Sequence, residues 1–463
     1  MIDIENNDRH ELSLEEAKRF ISRELTRLAE TPAVSEKWPL VIRLTARIVP
    51  ILPLPWLSRQ EMLPRMFWKE RDCSWETAGV GVAYDNSAKN LDACDDIWHG
   101  LSRILDSDDG NTCIFSGMSF HRTLSGPEWQ SFKSFRLILP RFQILKKGEK
   151  TFLVCHVVLG EGEVLPLRQI FHQLNSLKWS EQISPFRFNV LSRENHPSYE
   201  EWQEILAEVL KNIHHGDVDK VVLTRRTTFV MDRIVDPCFL LGRLLEQNSG
   251  GDAFLFQFDN THAAFGISPE MLYTRHIDKL TSEAIAGTRG RSLDKLKDEK
   301  LTAELLHSDK ERREHQFVVS SLVKSFRHTC RSYGFDEEDS LLKLPRQQHL
   351  LTRLTGRLCH GVTDRELFEM FHPTPSVCGT PADKALLLIH QSEAFDRGWF
   401  AGPVGYFSRK HSKLAVAIRS ALIDNENLHL YSGAGIVAGS EALSEWEEIE
   451  EKIRGYLDII YGH

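Results

Sequence analysis

The strongest constraint on the fold is a change of hydropathy rhythm near residue 190. From about Leu40 to Val190, short segments such as LVIRLTARIV, GVGVAYD, FRLILPRFQI and TFLVCHVVL alternate apolar and polar residues between Gly, Pro and Asn/Asp clusters. That pattern predicts strands joined by turns. Beyond it, helical spacing predicts helices over Ser198 to Ile213, Leu301 to Phe326 and Ser444 to Tyr461, interleaved with strands over Val218 to Phe229, Ala253 to Gly266 and Lys413 to Ile423. An opening helix is expected over Ser13 to Ala29. Ser13 and Glu16 form a capping box there, and Ala17, Phe20, Ile21, Leu25 and Leu28 recur at helical spacing. The class implied is α+β, divided at 1–190, a sheet-rich part, and 191–463. The only plausible seam is Glu181 to Ser198, and no internal repeat is visible.

A chain of 463 residues with 41% hydrophobic and 27% charged residues can bury a large core. Its net charge of −9 excludes a general nucleic-acid binder but permits a local basic pocket for an anionic small molecule. The eight cysteines stand singly, with no C-x-x-C pair, as expected of a reducing compartment. Residues 1–12 lack the features of a signal peptide. The apolar run Ile48 to Leu57 carries three prolines and falls well short of the ~18 residues of a membrane span. A cytoplasmic protein without membrane or nucleic-acid partners is expected.

Four segments carry candidate chemistry. In VDKVVLTR, alternation places Lys220 on the same face as Val218 and Val222, so an amine projects from an apolar face. Burial there would favour a neutral amine competent as a base; the alternative is a gatekeeper lysine on an exposed edge. Ser268-Pro269-Glu270 ends the strand before it and leaves a carboxylate at a strand end. In the middle of the helix expected over residues 301–326, Glu314 lies at the edge of the apolar stripe, while Arg312 and Arg313 stay wet. In the last helix Ser444 and Glu447 form a capping box, and Glu445, Glu448 and Lys452 share one face. Each helix segment could equally be a solvated face. Carboxylates brought together repel, and magnesium relieves that repulsion. Just upstream, Gly433 and Gly435 allow backbone amides to converge on an anion as a nest, and Arg419 in the strand LAVAIRSALI suits a carboxylate.

Together these segments resemble the chorismate-utilising enzymes, the family of isochorismate, salicylate, anthranilate and aminodeoxychorismate synthases. The strings are KVVLTR, FGISPE, EAIAGTRGR, HPTPSVCGTP, RGWFAGPVGYF, AVAIRSALI, YSGAGIV and SEWEEIEEK, in family order from about 198 to 458. FWKERD, SGMSFH and LPRF extend a looser similarity into the N-terminal third. The resemblance implies one α+β sandwich of two large intertwined sheets with helices outside and the site between the sheets.

It also implies roles. Lys220 becomes the base and Glu270 the acid. Glu314 and Glu448 hold Mg2+, with Glu445 assisting through water. Gly287, Thr288, His372, Arg419, Gly433, Gly435 and Lys452 contact substrate. Members that add water carry lysine at the position of Lys220, and those that add ammonia carry glutamine. EAIAGT, with Glu283, looks more like isochorismate synthases than salicylate synthases, which usually have proline there. The resemblance therefore implies magnesium-dependent conversion of chorismate to isochorismate, feeding quinone, siderophore or salicylate synthesis, with no glutaminase subunit. The alternatives are a salicylate synthase, an aminating synthase or a silent binding homologue. Phe400 stands where many relatives have tyrosine, leaving Tyr406 or Arg419 to serve the substrate carboxylate.

Overall fold

A computed structural model describes residues 2–6, 10–30, 38–107, 110–247, 250–343 and 347–462, with the side chains of 337–339 left aside. Among these residues the chain forms two large sheets. The larger has thirteen strands, running in space from Ile2–Glu5 through Leu40–Ile48, Lys150–Leu159, Phe142–Lys147, Trp75–Val80, Arg65–Lys69, Asp252–Gln257, His262–Ser268, Ser420–Asp424, Asn427–Ile436 and Lys220–Met231 to Val190–His196, with the short Gly379–Thr380 beside the Lys220 strand. The smaller has nine, from Cys330–Lys343 to Tyr84–Ala88. Apart from the parallel pairing of Ile2–Glu5 with Leu40–Ile48, neighbours are antiparallel. Both sheets take strands from both sides of residue 190, so the division at 190 separates sequence rhythms and not layers.

Strand alternation builds the core. Along Asp252–Gln257, Phe254 and Phe256 join one buried cluster and Ala253 and Leu255 another, as a period of two requires. The first cluster takes Trp68 and Phe254 from the larger sheet and Tyr406 and Leu414 from the smaller, filling the space between them. The second packs the helices Leu14–Glu30 and Pro237–Gln247, with the end of the last helix, against the larger sheet. Helices thus cover a two-sheet sandwich.

Several elements break where the sequence reads as continuous. Residues 301–326 hold two helices, Lys295–His307 and Asp309–Thr329, because the Ser308 side chain accepts from the Glu311 N–H and caps a new start. Glu314 therefore lies near a helix N-terminus and not mid-helix. The last helix begins at Ala442, so Ser444 is inside it and forms no capping box. The expected strand Ala253–Gly266 is a hairpin of Asp252–Gln257 and His262–Ser268. The expected strand Lys413–Ile423 is two strands in different sheets, His411–Val416 and Ser420–Asp424, and Arg419 sits in the joint with φ 53°. Glu270 occupies an equivalent joint, between His262–Ser268 of the larger sheet and Met271–His276 of the smaller. Both crossings place a charged residue between the layers.

Candidate active site

Between the sheets lies a cleft of about 820 Å³, its mouth included. The larger sheet supplies Val222, Thr224 and Gly433, the smaller supplies Ile285, Gly287, Thr288 and His349, and the two crossings supply Glu270 and Arg419. Glu314 enters from the Asp309–Thr329 helix, and Glu448 and Lys452 from the last helix.

Glu270 is fixed through its backbone: its N–H donates to Ser268 Oγ at 3.2 Å and its carbonyl accepts from the Val416 N–H at 3.0 Å. The Ser376 hydroxyl donates to its carboxyl. Burial raises the Glu270 pKa to about 7, against the opposing pull of Ser376, Lys220, Thr374 and Lys452. This acid is poised to hold or release a proton near neutrality.

Lys220 opens its strand and is fully buried, which rules out the edge-gatekeeper reading. It does not line the cleft itself; its Nζ donates to Glu314 Oε1 at 2.8 Å, and Glu314 does. Gly435 makes room for this pair. A Cβ there would fall 2.6 Å from Glu314 Oε1 and 2.9 Å from Lys220 Cε. Gly435→Ala is therefore expected to displace the pair and cut turnover by on the order of tenfold to a hundredfold, since misplacement by an ångström costs about that much. Activity and thermal unfolding measured together would show loss of rate without loss of fold.

Four carboxylates crowd the two helix starts. Burial, with repulsion from Glu314 and Glu448, raises the Glu311 pKa; burial likewise raises that of Glu445, opposed by Lys310. Burial also works against ionisation of Glu448, but the charge and hydrogen bond of Lys452, at 2.6 Å, hold its carboxyl below the usual range. Among the described residues no three acidic, histidine or cysteine side chains converge on one point. The crowding of four carboxylates is nonetheless the condition a hard divalent cation relieves.

Glu270, Gly287, Thr288, Glu314, Arg419, Gly433, Glu448 and Lys452 come together around the one cleft. Four others do not: Lys220, which meets the cleft only through Glu314, and three more. Glu445 lies behind it, buried and paired with Lys310 at 2.8 Å. The Gly435 backbone spaces the lysine pair, and neither it nor Gly433 takes a left-handed conformation; both lie in a regular strand, so the expected nest is not formed. His372 ends the Asp364–Phe371 helix with its ring stacked on Phe368, 5.7 Å between centroids, and burial lowers its pKa to about 4. It packs and does not line the cleft.

The Arg419 guanidinium donates to the Lys452 carbonyl at 2.9 Å and to Gln347, and burial lowers its pKa to about 10, which leaves it cationic at neutrality. Lys452 Nζ also donates to the Gly433 carbonyl at 2.9 Å. Phe400 lines the cleft and stacks on Tyr431, while Tyr406 points elsewhere, its hydroxyl donating to Glu70 at 2.8 Å. Of the two residues left to serve a substrate carboxylate, only Arg419 is in place.

The site also holds groups that sequence reasoning missed. Ser376 lay within HPTPSVCGTP, and Glu311 repeats before Glu314 the spacing of Glu445 before Glu448. His349 had no local signal; its Nδ1 faces Thr288 Oγ1 at 3.1 Å, its Nε2 is buried without a partner, and burial lowers its pKa to about 3. Gly287, with φ 71°, makes the bulge that brings Thr288 N–H within 3.2 Å of Glu311.

A family model described as chorismate binding enzyme matches residues 27–461. The chain is 31% identical to isochorismate synthase 2, chloroplastic, of Arabidopsis thaliana, over 86% of this chain and 77% of the relative. It is 27% identical to isochorismate synthase MenF of Escherichia coli (strain K12), over 97% of this chain and 98% of the relative. The solved structure of the menaquinone-specific isochorismate synthase MenF from Escherichia coli superposes with a TM-score of 0.85, at 25% identity, over 97% of this chain and all of that one.

Proposed function

The chain belongs to the chorismate-binding enzyme family, and from that premise we propose that it converts chorismate to isochorismate with Glu270 as the proton donor and Lys220 as the base. Chorismate is a flat dianion with a ring diene and a hydroxyl at C4. Water adds at C2, the two ring double bonds shift by one position each, and the C4–O bond breaks. Lys220 takes the proton of the attacking water, and Glu270 gives a proton to the departing hydroxyl, which leaves as water. Arg419 and Lys452 hold the carboxylates, and Gly287 and Thr288 border the leaving hydroxyl. The single observation that supports this reading best is a buried acid with a pKa of about 7 in a cleft lined also by Arg397, Arg419 and Lys452.

Glu314 and Glu448 would hold a magnesium ion, with Glu445 and Glu311 behind them. Bound there, the ion would neutralise the ring carboxylate and draw electrons from the diene. Removing divalent cations with EDTA is expected to abolish turnover, and magnesium in excess to restore it. Chromatography of the products from chorismate tests the reaction itself. Isochorismate alone supports the reading; salicylate with pyruvate would mean a subsequent elimination, and an aminated product formed with ammonia would overturn it. Similarity over nearly the whole chain to a menaquinone-specific enzyme favours quinone synthesis as the fate of the product.

A donor with a pKa of about 7 sets the alkaline limb. Protonated Glu270 is lost as pH rises, so kcat/KM should fall above about pH 7, approaching roughly tenfold per unit. The Ser376 hydrogen bond favours the ionised form. Ser376→Ala should therefore move the limb to higher pH, and kcat/KM measured across pH in both proteins checks the sign.

A further inference from the structure

The motif FWKERD supplies more than a strand. Its end forms the turn between Arg65–Lys69 and Trp75–Val80, and Arg71 in that turn reaches three separate elements. Its backbone N–H donates to Asp252 Oδ1 at 3.0 Å, its Nη1 to Glu283 Oε2 at 2.8 Å, and its Nη2 to the Pro269 carbonyl at 3.2 Å. Asp252 begins a strand of the larger sheet, Glu283 belongs to the smaller, and Pro269 immediately precedes Glu270. Arg71 therefore ties both sheets to the peptide that carries the acid.

The brace is itself braced. Glu283 is buried, and its other oxygen accepts from Arg353 Nε at 3.1 Å and Nη2 at 3.0 Å. Asp252 is buried and accepts from Lys413 Nζ at 2.6 Å. Burying carboxylates is costly unless they are paired and hydrogen-bonded, and here the pairing also fixes direction. Apart from Arg71, the Ser268–Pro269–Glu270 turn is held by hydrogen bonds among Ser268, Glu270 and Val416 and by the Ser376 hydroxyl on the Glu270 carboxyl. Neither Arg71 nor Glu283 lines the cleft, so neither touches substrate directly.

We infer that Arg71, braced by Glu283, is a positioning residue that aims the Glu270 carboxyl at the leaving group. The inference rests on the reading of Glu270 as the proton donor. Without the bond to Pro269 the peptide before Glu270 is held only through its N–H to Ser268 Oγ, and the carboxyl shifts from its register with Ser376 and the cleft. The groups that bind the substrate carboxylates are untouched.

The test is a double-mutant cycle read as kcat and KM for chorismate. Arg71→Met should lower kcat roughly 10–100-fold and change KM by less than about threefold. In a Glu270→Gln background the same substitution should change kcat by less than about threefold, because the geometry it protects has lost its proton. Arg71→Lys, which can renew one of the two side-chain hydrogen bonds, should recover part of the loss. Should Arg71→Met fail to fold, Glu283→Gln, which weakens the brace at its far end, carries the same cycle. Equal losses in both backgrounds, no loss in the parent, or a rise in KM at constant kcat would overturn the positioning role. Near-normal turnover of Glu270→Gln alone would instead overturn the proton-donor reading, and the inference with it.

Discussion

Glu270→Gln is expected to lower turnover by about 10²–10⁴-fold, the usual contribution of general acid catalysis, while leaving KM close to that of the parent. Glutamine is isosteric and can still meet the Ser376 hydroxyl, so what is removed is the proton. The same variant carries a stability signature. The folded pKa of about 7 lies above the ordinary carboxyl value of 4.5, so the protonated acid is the form the fold favours. Its contribution is present at pH below about 4.5 and is lost as pH rises toward 7. Glutamine carries no such penalty, so the difference in melting temperature, variant minus parent, should grow from pH 5 to pH 8. A constant difference over that range would mean that Glu270 is not held protonated, and the acid assignment would fall with it.

Lys220→Ala is expected to remove a similar share of turnover, again about 10²–10⁴-fold. Alanine alone does not separate a base from a counter-charge, since Lys220 Nζ donates to Glu314 at 2.8 Å and its loss leaves that carboxylate without its partner. Lys220→Arg makes the distinction. Arginine can keep the ion pair but stays protonated, so it can hold Glu314 and cannot accept a proton from water. Both variants should be inactive if Lys220 is the base. Turnover near the parental rate in Lys220→Arg would reduce the residue to a counter-ion, and near-parental turnover in Lys220→Ala would exclude both roles. The fully buried position makes the alanine variant less stable as well, and thermal unfolding must be followed beside the kinetics.

Much of the site was legible because its chemistry lies in local strings. Lys220, Val222 and Thr224 face one way because strand side chains alternate; Val222 and Thr224 line the cleft, and Lys220 meets it through Glu314. Glu448 and Lys452, four residues apart on a helix, meet as helical spacing requires. Errors arose where a local pattern continued across a structural break. LAVAIRSALI reads as one strand, yet the chain leaves one sheet and enters the other inside it, and Arg419 takes a left-handed conformation to do so. Ser308 looks like a residue within a helix until its hydroxyl is seen capping the next one. Gly433 and Gly435 suggest a nest by composition, but pairing with the Lys220 strand keeps them extended.

The residues whose roles could not be read locally were those whose importance comes from distance in sequence. His349 meets Thr288 across 61 positions, Ser376 meets Glu270 across 106, and Arg71 meets Pro269 across 198. Sequence by itself determined which side chains were available, which faces of strands and helices they shared, and that the chain would be α+β, while large sheets covered by helices were what the family resemblance implied. Only the tertiary structure decided which of those side chains share one cleft, that Lys220 is answered by Glu314, and that Glu270 is buried deeply enough to raise its pKa to about 7. The reason is physical. Periodicity follows from the geometry of neighbouring residues, whereas desolvation and charge pairing depend on what distant segments bring within a few ångströms.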